Sequence, residues 1–140
     1  MSSPQALLED LAAQGDDLLD LTRALVRLPS ESPPSDTRAI VDYFPNELAS
    51  RLGPAAVIDR LSAEAPIDNL VVRLPGKGPG RRLIFNGHLD TYLVGDRNAW
   101  QYDPVGGELV EGRLYGRGSC DMKGGVAALV VAAGALARHR

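Results

Sequence analysis

Leucines recur every three or four residues along the first part of the chain. This spacing predicts helix from Pro4 to Leu28, with Gly15 marking a break between two helical pieces. The prolines and serines of "LPSESPPSD" then end the helix. Asp36 or Ser35 is suited to cap a further helix that runs to about Leu52. The leucines that carry the pattern are Leu7, Leu8, Leu11, Leu18, Leu21, Leu25 and Leu28.

The pattern changes to short apolar runs in the middle of the chain. "AAVIDRLSA" and "NLVVRLPG", rich in β-branched residues and bounded by proline and glycine, predict strands. "RRLIFNGHLD", residues 81–90, predicts the strongest strand, with "LIF" as its buried centre. "GGELVEGRLYG" predicts a hairpin around Glu111 and Gly112, and a last helix is expected from about Met122 to Ala137. This order predicts an α/β fold, specifically an α/β sandwich with a mixed sheet.

Composition and charge narrow the classes of partner. The net charge is −3 and no basic block occurs, so no nucleic-acid partner is expected. A single cysteine, Cys120, rules out an internal disulfide and fits a reducing compartment. The N-terminal residues are acidic and polar, unlike a signal peptide, and the longest apolar stretch, Val126 to Ala137, is too short to cross a bilayer. We therefore expect a cytoplasmic protein without a membrane partner.

His88 and Asp90 are the first candidates for chemistry. They end the predicted strand of residues 81–90, and open α/β sheets place ligand crevices at such ends. Residues two apart on a strand point to one face, so Asp90 is able to hold one imidazole nitrogen while the other faces a metal. The alternative is an ordinary solvated strand end with an incidental histidine.

Asp121 is the next candidate, because it stands between "GRGSC" and an apolar helix. It suits a helix N-cap, but a carboxylate there could also bridge two cations. Cys120 as a nucleophile, with His88 or His139 as base, is a weaker interpretation because no third residue orients such a pair. Lys123 either steers an anionic group or is an exposed lysine in the first helical turn. The chain lacks the G-x-S-x-G and P-loop patterns.

Two separated motifs together carry a family resemblance. "GHLDTYLVGD" is followed by Trp100 and by "DPVGGELVEGRLYGRGSCDMKGG", with Asp121 lying 33 positions after His88. This sequence resembles the M20 family of co-catalytic zinc peptidases and deacylases, which includes acetylornithine deacetylase, succinyl-diaminopimelate desuccinylase and the glutamate carboxypeptidases. The resemblance extends from about Leu18 to Leu136, since "LLDLTRALVRLPSESPP" and "DNLVVRLPG" also look like family segments. The M28 aminopeptidases, a different zinc hydrolase family with an H-x-D motif, match the sequence "YGRGSCDMKGG" less well.

The resemblance implies a role for each candidate residue. His88 matches a histidine ligand of one zinc ion, Asp121 matches the carboxylate that bridges both ions, and Asp90 matches the aspartate that orients the histidine as an active-site residue. It also implies a cis peptide between Asp121 and Met122. The expected cofactor is Zn²⁺, two ions per intact site, with cobalt or manganese able to replace it. The expected reaction is hydrolysis of an amide bond in a small peptide or N-acyl amino acid, and a homodimer is compatible with the full-length protein.

Several family features have no match in residues 1–140. They are a Glu-Glu pair that supplies the general base and a metal ligand, a further acidic ligand, a late histidine, and the lid or dimerisation domain. We therefore expect these residues to be the N-terminal part of an M20-type catalytic domain that binds zinc weakly and does not turn over substrate by itself. The alternative is a non-catalytic truncated relic or partner-binding module. Either way, exposed apolar surface is expected along Val126 to Ala137.

Overall fold

A computed structural model describes residues 3–140, and helices form most of their regular structure. Four α-helices occur in this part of the chain: α1 (Pro4–Ala12), α2 (Gly15–Val26), α3 (Arg38–Leu52) and α4 (Gly124–His139). Helix α1 begins where Ser3 Oγ accepts a hydrogen bond from the Ala6 amide at 3.2 Å and proline occupies the first helical position. The predicted break at Gly15 is confirmed. Helix α3 begins at Arg38, and the Asp36 carboxylate accepts from the Arg38 amide at 3.2 Å.

The strands form two separate antiparallel pairs. Strand β1 (Val57–Glu64) pairs with β2 (Ile67–Arg73), and β3 (Glu108–Val110) pairs with β4 (Arg113–Tyr115). The strands of the first pair were predicted without their pairing, whereas the second pair was predicted as a hairpin and turns at Glu111 and Gly112 as expected. Parallel pairing within the described residues is limited to one bridge between Glu31 and Thr91. The chain is therefore of the α/β class, as the sequence predicts, with small antiparallel sheets beside a helical core.

The predicted strand over residues 81–90 is wrong. This segment forms no strand, and its expected buried centre is exposed: Leu83 by 67%, Ile84 by 75% and Phe85 by 42%. A strand needs a neighbouring strand with which its backbone amides and carbonyls form hydrogen bonds. Within residues 3–140 no backbone group of this segment pairs with another backbone group.

Helix α4 lies in the core and packs against α1, α2 and α3. Its buried residues include Val126, Ala127, Val130 and Val131, so the apolar surface predicted to be exposed along this helix is mostly buried, although Leu136 is 37% exposed. Three consecutive exposed apolar side chains lie on residues 83–85. By length and composition alone the helical stretch Ser119–His139, 21 residues with a mean hydropathy of 1.5, could cross a membrane. Its contacts with three other helices are those of a core helix.

Candidate metal centre

The three residues singled out in the sequence lie together at the surface. His88 Nε2 is 3.0 Å from Asp121 Oδ1, and His88 Nδ1 is 2.9 Å from the backbone carbonyl oxygen of Asp90. The Asp90 carboxylate is also near, with Oδ1 at 3.3 Å from Nδ1. The histidine therefore has one partner at each ring nitrogen. All three side chains are accessible, Asp121 most of all with 86% exposed.

Asp121 reaches the histidine from a turn that precedes α4. The turn covers Ser119–Lys123, and within it Asp121 (φ −123°, ψ 98°) and Met122 (φ −135°, ψ 32°) leave helical geometry. The peptide between these two residues is cis, as the resemblance implied. Asp121 does not cap α4, because no side chain caps that helix and the Asp121 carboxylate contacts His88 instead. The N-cap interpretation is therefore wrong.

The segment carrying His88 lies directly against the start of α4. A Cβ atom at Gly87 would come within 3.1 Å of Met122 Cε and 3.2 Å of Val126 Cγ2, so glycine allows this approach. The His88 amide donates to the Met122 sulfur at 3.4 Å, and the Leu89 carbonyl accepts from Ser30 Oγ at 2.7 Å. Side chains from elsewhere in the fold thus take the place of the strand partners that the sequence led us to expect.

Hydrogen bonding determines which ring nitrogen of His88 carries a proton. A backbone carbonyl only accepts, so Nδ1 must donate to the Asp90 carbonyl. In the neutral ring this leaves the Nε2 lone pair directed at the Asp121 carboxylate, an arrangement that is favourable only with a positive centre between them. A proton meets that need here: the bond to Asp121 raises the pKa of His88, against the opposing effect of partial burial. A metal cation would meet the same need.

A cavity of about 400 Å³ opens beside this group. Its lining includes all three candidates together with residues that the sequence analysis did not select: Ser32, Thr91, Tyr92 and Arg117. The guanidinium of Arg117 lies over the Trp100 ring at 4.9 Å. Arg117 belongs to the same glycine-rich run as Asp121, and this position in the sequence could have marked it as a residue of the site. The cavity could receive a ligand about the size of an amino acid derivative.

Lys123 differs most from its expected position. It was predicted either to steer an anion or to lie exposed, and both predictions are wrong because its side chain is only 1% exposed. Its ammonium group donates to the Leu28 carbonyl at 2.7 Å, and burial lowers its pKa to about 8. Sequence could not reveal this, because the carbonyl partner lies 95 residues away.

The arrangement gives no support to a cysteine nucleophile. Cys120 is an exposed free thiol beside the cavity. Both ring nitrogens of His88 contact aspartates, and His139 Nε2 contacts Asp10 at 3.0 Å. Neither histidine is therefore bonded to Cys120 in the described part of the chain.

The donor types at this site suit a transition metal, but their number is low. Imidazole nitrogen and carboxylate oxygen are ordinary zinc ligands, and a ring nitrogen held by an aspartate is the usual support for a metal histidine. Catalytic zinc takes about three protein ligands. Residues 3–140 contain no group of three or more His, Cys, Asp or Glu side chains arranged to hold an ion. His88 and Asp121 thus fit the chemistry of a metal site that needs further ligands.

The fold and the site define an α/β protein with a histidine-aspartate centre at the edge of a helical core. Comparison with known proteins gives the particular family. The model described as peptidase family M20/M25/M40 matches residues 84–140, which include all three candidates. Residues 84–140 thus match the M20 family, and the relatives described next extend the similarity over most of the chain.

The relatives are similar along most of the chain. A succinyl-diaminopimelate desuccinylase of Rhodospirillum centenum is 44% identical over 122 residues, covering 84% of this chain. One from Cereibacter sphaeroides (strain ATCC 17029) is 42% identical over 117 residues, and one from Parvibaculum lavamentivorans is 40% identical over 125 residues, covering 84% and 88% of this chain. These matches cover 30%, 29% and 30% of the relatives themselves, so the chain spans about 30% of their length.

Proposed function

We propose that His88 and Asp121 are metal ligands in a hydrolase that cleaves an amide bond, and that Asp90 holds His88 in position. The observation that carries this proposal is the convergence of His88 Nε2 and Asp121 Oδ1 to 3.0 Å with Nδ1 already bonded to Asp90. Zn²⁺ is the proposed metal, two ions in a complete site, and cobalt or manganese would suit the same donors. Bound metal would polarise the scissile carbonyl and make water more acidic.

The residues of this chain contribute binding and orientation. Asp90 keeps the proton of His88 on Nδ1, so that Nε2 presents its lone pair to the cation. Asp121 is proposed to bridge the two ions, which its 86% exposure permits because the carboxylate oxygens are accessible. The cavity beside them would hold the acyl-amino acid part of the substrate near the ligands.

The proposed substrate class is a small N-acyl amino acid. The relatives named succinyl-diaminopimelate desuccinylase support an N-succinyl amino acid, and a small peptide has the same type of bond. We place the protein in the cytoplasm on the basis of its single cysteine, and propose homodimerisation only for the full-length protein. Residues 1–140 would then be the N-terminal part of an M20-type catalytic domain.

We further propose that residues 1–140 alone bind zinc weakly and do not complete the reaction. The two donors found here are fewer than the three that a catalytic zinc ion takes. A general base is also needed to accept the proton of water, and the described cavity lining contains no glutamate. The Asp121 carboxylate already contacts His88 Nε2, and the Asp90 carboxylate lies 3.3 Å from His88 Nδ1.

Zinc titration of the purified chain, followed by calorimetry, tests the ligand assignment. His88→Ala and Asp121→Ala should each remove the binding measured for the wild-type chain. His139→Ala is the matched control, because His139 is the other histidine and contacts Asp10 rather than the proposed site. Equal binding by His88→Ala and wild type would refute the assignment. Zinc-dependent and His88-dependent cleavage of an N-acyl amino acid by this chain would refute the proposed lack of turnover.

A further inference from the structure

Two buried polar side chains lie behind the site and are not among the proposed metal ligands. Ser30 and Lys123 are each 1% exposed. Ser30 Oγ donates to the Leu89 carbonyl at 2.7 Å, and Lys123 Nζ donates to the Leu28 carbonyl at 2.7 Å. Both bonds involve the short stretch that follows α2, Leu28–Ser32, which we call the tie segment.

The tie segment also holds the histidine side of the site through its backbone. The Thr91 amide donates to the Ser30 carbonyl at 2.8 Å, and the Ser32 amide donates to the Thr91 carbonyl at 2.8 Å. With the Ser30 hydroxyl, three hydrogen bonds therefore fix residues 89 and 91, which stand on either side of Asp90. These bonds matter because residues 81–90 have no strand partner within residues 3–140.

The same segment holds the aspartate side through Lys123. This residue lies two positions after Asp121, and its amide donates to the Gly118 carbonyl at 2.9 Å, which closes the turn that carries Asp121. Loss of the ammonium group would leave the Leu28 carbonyl buried without its partner, an outcome that costs more than the hydrogen bond itself. The tie segment would then have to move relative to the turn.

We propose that the tie segment sets the separation between His88 Nε2 and Asp121 Oδ1, and that Ser30 and Lys123 are positioning residues of the site. Ser30 acts through Leu89 on the histidine side, and Lys123 acts through Leu28 on the aspartate side. Neither touches the cation or the substrate. This inference deepens the proposed metal centre and rests on it for the metal, but the geometry it describes exists in the metal-free chain.

Nitrogen NMR of the histidine rings tests the proposal on the zinc-free chain. The protein has only two histidines, so selective ¹⁵N labelling gives one site signal, His88, and one internal control, His139, which contacts Asp10. Ser30→Ala and Lys123→Met should each shift the Nε2 signal of His88 and leave that of His139 in place. Ser30→Thr keeps a hydroxyl and should restore the wild-type signal.

Thr22→Val provides the matched control for general destabilisation. Thr22 is also buried, at 6% exposed, and its hydroxyl donates to the Leu18 carbonyl at 2.7 Å, but this bond stays within α2. An unchanged His88 signal in Ser30→Ala and Lys123→Met would overturn the proposal, and so would an equal shift in Thr22→Val. If Lys123→Met fails to fold, Ser30→Ala alone decides, because it removes a single oxygen atom.

Zinc titration of the same variants separates this inference from the proposed function. Loss of an outer partner of a metal ligand typically weakens affinity about 10- to 100-fold, and we expect a loss of that order for Ser30→Ala. A moved His88 signal without zinc binding by the wild-type chain would refute the metal centre and support the tie segment. Zinc binding of equal affinity in wild type and Ser30→Ala, with unmoved ring signals, would refute the tie segment and support the metal centre.

Discussion

Replacing Gly118 by alanine measures how tightly the turn carrying Asp121 packs against the segment carrying His88. Gly118 has φ +80°, and a Cβ atom there would lie 2.5 Å from Thr91 Cγ2. Left-handed backbone costs alanine roughly 1–2 kcal/mol, and overpacking of a close contact adds roughly 1–3 kcal/mol. Thr91 is 3% exposed and β-branched, so it has little freedom to move away. We therefore expect Gly118→Ala to lower the free energy of unfolding by about 2–5 kcal/mol.

Two further variants separate the backbone cost from the collision. Gly112 has φ +75°, but among residues 3–140 no atom would lie within 4 Å of a Cβ at this position, so Gly112→Ala should lose only the roughly 1–2 kcal/mol of the backbone term. Thr91→Ser removes the colliding methyl group, and the double variant with Gly118→Ala should be more stable than the two single changes predict together. Urea unfolding followed by circular dichroism measures all four variants. Equal losses for Gly118→Ala and Gly112→Ala, or strict additivity in the double variant, would refute the packing argument.

Two predictions concern the helical core and the exposed apolar segment. Arg51 donates hydrogen bonds to Asp17 at 2.5 Å and to Glu47 at 2.6 Å, and its side chain is only 14% exposed. Arg51→Ala should therefore lower the free energy of unfolding by about 1–2 kcal/mol at pH 7, which is more than Arg38→Ala should at its exposed pair with Asp36. The Arg51 bond lowers the pKa of Asp17 in the folded chain, so this loss should be full above about pH 4 and shrink as acid protonates Asp17. If urea unfolding at pH 3 gave the same difference in free energy between wild type and Arg51→Ala as at pH 7, the prediction would be contradicted. Leu83 and Ile84 are 67% and 75% exposed, so Leu83→Ser and Ile84→Ser should reduce self-association in sedimentation without lowering the Tm. Val131 is 5% exposed, so Val131→Ser should lower the Tm sharply. A comparable loss of Tm in Ile84→Ser would show that the segment is buried in solution.

Local signals predicted the parts of the fold that local chemistry determines. The leucine spacing and Gly15 gave the two N-terminal helices and their break, and the glycine at position 112 gave the β3–β4 turn. The strands β1 and β2, though not their pairing, were predicted from β-branched runs bounded by proline and glycine. Each of these elements is completed by residues close in sequence, so one stretch carries the whole signal.

Predictions failed where distant residues decide the outcome. "LIF" has the composition of a buried strand, but no backbone partner lies beside it in residues 3–140. Lys123 stands where a lysine is normally solvated, yet the Leu28 carbonyl receives it in the core. The grouping of His88, Asp90 and Asp121 was expected because two motifs resemble those of a known family. The 3.0 Å distance between His88 Nε2 and Asp121 Oδ1 agrees with that grouping. The metal role of the group stays a prediction.

Within the described part of the chain, residues 81–90 have no strand partner, and this has a consequence for hydrogen exchange. Amides without backbone acceptors exchange through small local openings, whereas those of α4 exchange only when the core opens. The backbone that leads into His88 therefore has low local stability, and Asp121 adjoins backbone of high local stability. By linkage, a ligand that bridges the two must slow exchange near His88 far more than in α4, and part of its binding free energy is expended on ordering that segment.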